Sequence, residues 1–100
     1  MVHTRDLKIA KLLQHAVGQY FHQCAAELDI YIDTVEMRDR RSADIYYQLG
    51  LSHPLEEAAL RDLHQKILAH IPPLKKFIAD NLNLKSIPKL SFHLRLHAAL

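Results

Sequence analysis

Pro72 and Pro73 stand back to back inside an apolar helical pattern, and they limit how the last third of the chain can fold. Proline disfavours helical geometry in the residue before it and has no N–H to donate. A helix carrying Ile67 and Leu68 must therefore stop or kink near His70-Ile71. Pro73 suits the first turn of a new helix, where a missing N–H costs nothing. That helix presents Leu74, Phe77, Ile78 and Leu82 at helical spacing. A basic turn, Leu84-Lys85-Ser86-Ile87-Pro88, follows. Leu90, Phe92, Leu94 and Leu96 then alternate with Ser91, His93, Arg95 and His97, the period of a half-buried strand.

The rest of the chain supplies what this unit packs against. Leu7, Ala10, Leu13, Val17, Tyr20 or Phe21, and Cys24 form the stripe of an amphipathic helix capped by Thr4 or Asp6, and Ile9, Leu12 and Ala16 widen it. Leu28, Ile30 and Ile32 alternate, then Val35 and Met37 take the opposite parity. A bulge near Asp33-Thr34, or burial on both faces, explains the switch. Arg38-Asp39-Arg40-Arg41 reads as a hairpin loop, and Ala43, Ile45, Tyr47 and Leu49 as the inner face of an antiparallel partner. After a turn at Gly50-Leu51, Ser52 can cap a helix with Pro54, Glu56 and Glu57 in its first turn and Leu55, Ala59, Leu63, Ile67 and Ile71 on one side. The order is α-β-β-α-kink-α-β. The expected class is α+β: one domain over residues 1–100, a three-stranded sheet with helices packed on one face.

Composition narrows the function classes. An apolar fraction of 49% supports one core and argues against disorder. With only 2 glycines, a glycine-rich phosphate loop is not expected. The single cysteine, Cys24, forbids an intrachain disulfide and fits a reducing compartment. No apolar run approaches the roughly 20 residues of a membrane span, and the N-terminus lacks the apolar core of a signal peptide. A cytoplasmic protein without membrane contact is expected. The net charge of +2 is only mildly basic. The cations are clustered, however, in Arg38, Arg40 and Arg41, in Lys75 and Lys76, and in Lys85, Lys89 and Arg95.

The element order resembles that of a type II KH domain. Two segments carry a closer likeness. In Asn81 to Phe92, the pairs Leu84-Lys85 and Ile87-Pro88 and the run Leu90-Ser91-Phe92 resemble the ending of the ribosome-binding factor A family. The hairpin from Thr34-Val35-Glu36-Met37 to Ala43-Asp44-Ile45-Tyr46 is similar to that family's hairpin. Departures lie at Cys24-Ala25-Ala26, where the family has Asp-Pro-Arg, and at His70, Ile71 and Pro72, which align with its Ala-x-Gly kink. The hairpin loop also looks one residue shorter. The resemblance implies a non-catalytic assembly factor without cofactor. It implies binding to the small ribosomal subunit precursor and its rRNA, with a maturation GTPase as a further partner. A monomer is expected.

Lys75, Lys76 and Lys85 could contact a phosphate backbone, which proteins hold largely by charge. A solvated helix face is the plainer reading of such a pair. Arg38, Arg40 and Arg41 could enter an RNA groove or stack on bases, or could simply solubilise a turn. Tyr46, with Tyr31 and Tyr47, raises base stacking; a half-exposed strand tyrosine is the more common case. Eight histidines, among them the pairs His15 and His22, and His93 and His97, form no metal-binding spacing. Cys24 and the pair Glu56-Glu57 give no catalytic signature. The competing function is a KH-like protein-interaction domain without RNA binding. The two readings differ in whether the lysines and the arginine loop share one surface.

Overall fold

The computed structural model describes residues 4–51 and 53–95. The chain is α+β: three α-helices and a three-stranded mixed sheet among the described residues. Helix α1 spans Thr4–Cys24, and a 3-10 turn, Ala26–Leu28, leads to β1 (Ile30–Asp39). Strand β2 is Ser42–Leu49, α2 is Glu57–Ala69, α3 is Ile71–Asn81 and β3 is Lys89–Leu94. The sheet order is β1-β2-β3, antiparallel between the first two and parallel between the last two.

The core lies between one face of the sheet and the helices. Val35, Ala43, Ile45, Tyr47, Leu90 and Phe92 bury against Leu13, Val17, Tyr20 and Phe21 of α1, Leu63 and Ile67 of α2, and Leu74 and Ile78 of α3. The α1 stripe is narrower than its periodicity suggests: Leu7, Leu12 and Cys24 are exposed. Phe92 is buried as its parity requires, but Phe77 is only half-buried, with its ring edge-on to Tyr20 at 5.6 Å.

The parity switch in β1 is a bulge. Pairing shifts between Ile32 and Thr34, so Ile30 and Ile32 face the core before it and Val35 and Met37 after it. Gln14 Nε2 of α1 donates to the Asp33 carbonyl (3.1 Å), satisfying a backbone group at the bulge. A second shift lies between Met37 and Asp39. The hairpin turn is consequently shorter than Arg38 to Arg41. Arg38 and Asp39 belong to β1, and Arg40-Arg41 make the turn, closed by the Arg41 N–H donating to Asp39 Oδ1 (2.7 Å).

Helix α2 starts at Glu57, so Pro54 and Leu55 precede it and Leu55 is 71% exposed; the expected cap Ser52 lies outside the described residues. One residue, His70, separates α2 from α3. Both prolines sit in the first turn of α3, where neither is asked for an N–H, and neither could continue α2. The break is pinned to α1 by a hydrogen bond of 2.8 Å between Tyr20 Oη and His70 Nδ1. Strand β3 ends at Leu94; Leu96 and His97 lie outside the described residues.

Glycine is required once, at Gly50. Asp29 takes the left-handed region (φ 50°) and accepts the Gly50 N–H at its carbonyl (2.8 Å). A Cβ at Gly50 would overlap the Asp29 carboxylate. His53 completes this corner: its Nε2 faces the carbonyls of Leu28 (2.5 Å) and Asp29 (3.0 Å). Carbonyls only accept, so the ring carries its proton on Nε2.

Candidate nucleic-acid interface

The clustered cations end up in three different settings. Arg38 and Arg95 face the open side of the sheet, where acids neutralise them. Arg38 is ion-paired to Asp44, with Nε donating to Oδ2 at 3.1 Å. That bond, before any other cause, holds the Asp44 carboxyl below its usual value; the His93 Nε2 contact at 2.9 Å adds to it and burial opposes it. Arg95 Nη1 donates to Asp33 Oδ2 (2.6 Å) and Thr34 Oγ1 (3.3 Å). Its guanidinium also lies over the Tyr46 ring, 4.3 Å from the centroid. Tyr46 is thus a half-exposed strand tyrosine whose ring already has a cation over it, with His93 at 5.2 Å. Tyr47 is buried, its phenol pushed up by burial; Tyr31 is exposed without a ring neighbour among the described residues.

The second setting is a groove at one end of the molecule. The first turns of α1 supply Arg5, Asp6, Ile9 and Leu12. The hairpin supplies Met37 and Arg40, and the α3–β3 connection supplies Asn83, Leu84, Lys85, Ser86 and Pro88. The floor is apolar: Ile9, Met37 and Leu84 are half-buried and Pro88 is buried. Arg5, Arg40 and Lys85 are exposed and have no acidic partner within ion-pair distance among the described residues. The Lys89 N–H donates to the Arg41 carbonyl at 2.7 Å, so two more exposed cations stand beside this end.

The third setting is α3. Lys75 and Lys76 are exposed on it and do not line the groove. Its N-terminal end meets Tyr20, late in α1, whereas the segment after its C-terminal end meets Arg5 and Ile9, early in α1. The two helices therefore run in opposite directions. Arg40 and Lys85 are brought together; Lys75 and Lys76 are set apart from them; Arg38 is withdrawn into the sheet's own ion pairs. Arg5 was missed by sequence reasoning, because only the antiparallel packing of α1 on α3 carries it to Lys85. The kink residues His70, Ile71 and Pro72 lie at the far end of α1 from the groove.

His15 and His22 line one shallow hollow with Lys11 and Gln14, both histidines exposed. Among the described residues no group of three His, Cys, Asp or Glu could hold a metal ion, and no helix is long and apolar enough to cross a membrane. No protein-family model and no curated protein sequence matches the chain.

Proposed function

We propose that this chain is a KH-like RNA-binding factor, similar to ribosome-binding factor A, that associates with the small ribosomal subunit precursor during late maturation. The observation that carries the reading is the meeting of Arg40 and Lys85 in one groove with no acidic partner among the described residues. Unpaired cations have no ion pair to give up to a phosphate, whereas Arg38 and Arg95 would first have to release Asp44 and Asp33. Further support is the element order, with β3 joining the hairpin sheet beside β2 as a type II KH domain requires. The likeness segments also bear on it: Leu84-Lys85 contributes to the groove and Leu90-Ser91-Phe92 lies in β3. Arg41 stands beside the groove and would add to it, whereas Lys75 and Lys76, set apart on α3, would make a separate contact. The reaction chemistry asked of the protein is none; it binds, and charge sets how tightly. The cytoplasm is the compartment this role needs, and a maturation GTPase would be a further partner.

The second reading is a KH-like protein-interaction domain without RNA contact. The apolar groove floor favours it, since phosphate binding makes no use of Ile9, Met37 or Leu84. Sedimentation of the tagged protein with ribosomal particles at low and high salt separates the two. Co-sedimentation with small-subunit particles that is lost at high salt supports the first; no co-sedimentation at any salt removes it.

A further inference from the structure

The groove between α1, the hairpin turn and the α3–β3 connection combines two properties. Its floor is apolar, and its rim is positive. Leu12 is 49% exposed at its edge, although the α1 periodicity leads one to expect it in the core. Met37, Leu84 and Ile9 lie deeper and pack against the core from this side. Among the described residues the charged lining is Arg5, Arg40 and Lys85 against Asp6. None of the three cations has an acid within ion-pair distance among the described residues, although Arg38, Arg61, Lys66 and Arg95 each have one.

An RNA backbone satisfies only half of this arrangement. It would neutralise the rim and leave the leucine edge and methionine floor in contact with water. A base could enter, but among the described residues the groove offers no aromatic ring to stack on, the usual device for holding an unpaired base. A basic or neutral peptide would fill the floor and leave the rim unpaired. An acidic segment carrying an apolar side chain satisfies both: the side chain covers Leu12, Met37 and Leu84, and carboxylates on either side meet Arg40, Lys85 and Arg5. Such a division, an apolar anchor inside a ring of complementary charge, is the ordinary anatomy of a protein docking site.

We propose that this groove is a docking site for a short acidic segment of a partner protein, one that inserts a leucine- or phenylalanine-sized side chain over Leu12, Met37 and Leu84 between Arg40 and Lys85. The inference goes beyond RNA contact but shares Arg40 and Lys85 with it, so an acidic segment and RNA would compete for the groove, while Lys75, Lys76 and Lys89 remain outside its lining.

The test uses four labelled probes on the full chain, read by fluorescence anisotropy. They are a peptide alternating glutamate with leucine and phenylalanine, the same peptide with serine at the apolar positions, its lysine-for-glutamate counterpart, and a single-stranded oligouridine. The acidic apolar peptide is expected to bind, with affinity falling as salt rises, and the serine peptide to bind more weakly by about tenfold or more. R40E/K85E should weaken the acidic peptide by about tenfold or more and gain affinity for the lysine peptide, a swap that a merely misfolded variant cannot produce. L12S should weaken the acidic apolar peptide without changing the weak binding of the serine peptide. The proposal is overturned if the acidic apolar peptide fails to bind, if it binds R40E/K85E unchanged, or if R40E/K85E loses only oligouridine. The last result would assign the groove to RNA. Sedimentation with ribosomal particles reads the RNA proposal separately.

Discussion

Arg95, the residue after β3, reaches across β2 to β1: its Nη1 lies 2.6 Å from Asp33 Oδ2, at the bulge. One side chain thus ties the two edge strands together over the open face of the sheet, with the Tyr46 ring of β2 beneath it. The bulge does two jobs. It re-aims Val35 and Met37 into the core, and it leaves the Asp33 carboxylate on the outer face for Arg95 and the Asp33 carbonyl for Gln14.

Both partners of this pair are partly exposed, so its worth is modest. Arg95→Ala and Asp33→Ala should each lower stability by about 0.5–1 kcal/mol in urea unfolding. A double-mutant cycle should return a coupling energy of a few tenths of a kcal/mol or more. Strict additivity of the two would mean the contact contributes nothing.

The two glycines should respond with opposite signs. Gly18 lies inside α1, and an added Cβ would stand 4.0 Å from Ile32 Cβ, an ordinary contact. Gly18→Ala should therefore stabilise by about 0.5–1 kcal/mol through helix propensity. Gly50→Ala drives a Cβ into the Asp29 carboxylate and should destabilise by about 1–3 kcal/mol. Removing the carboxylate with Asp29→Gly should recover part of that loss. Thermal unfolding of the three variants and the pair decides it.

Asp44 gives the stability a recognisable acid limb. Its folded-state pKa is depressed, chiefly by the Arg38 bond. A depressed carboxyl contributes stability that is present above the unfolded value and lost as pH falls through the folded one. Asp44→Asn lacks this contribution. The wild type should be the more stable at neutral pH, and the gap should close as pH falls from about 5 towards about 2. Urea midpoints across that range check it; a gap that stays constant would assign the difference to packing.

In β3, Phe92→Ala should cost about 3–5 kcal/mol, as for a buried ring. Phe77→Ala should cost less, about 1–3 kcal/mol, because its ring is only half-buried. Tyr20→Phe removes the hydroxyl bound to His70 and should cost about 1 kcal/mol. Replacing Pro72 and Pro73 together by Ala should let α2 run on past His70, read as a gain in helical circular dichroism with a loss of stability. Unchanged stability would make the break incidental.

The order of elements and the parity switch in β1 are legible in the sequence because they rest on periodicity; the pairing register decides for a bulge over burial on both faces. Ile32 and Val35 cannot both face inward along a regular strand, and neither Pro72 nor Pro73 has an N–H to donate to α2. The groove is not legible, because it depends on how helices lie in space. Arg5 and Lys85 are far apart in the chain, and nothing in their spacing says that α1 and α3 run antiparallel. The ion pair of Arg38 is hidden from the sequence for the same reason. Its carboxylate partner sits across the hairpin, and the turn length had to be known to find it. Phe77 and Leu12 match the helical stripes as well as any core residue does, yet a stripe wider than the sheet it covers leaves its margin exposed.

The proposed binding to the small ribosomal subunit rests on unpaired cations meeting phosphate. The most direct measurement is titration of Lys75/Lys76/Lys85→Ala and Arg40→Ala variants onto small-subunit particles at several salt concentrations, after a native circular dichroism spectrum has been recorded for each. Each lost phosphate contact should weaken binding and lower the salt slope by about one, with folding barely changed. Full binding with an unaltered slope in every variant would contradict the account.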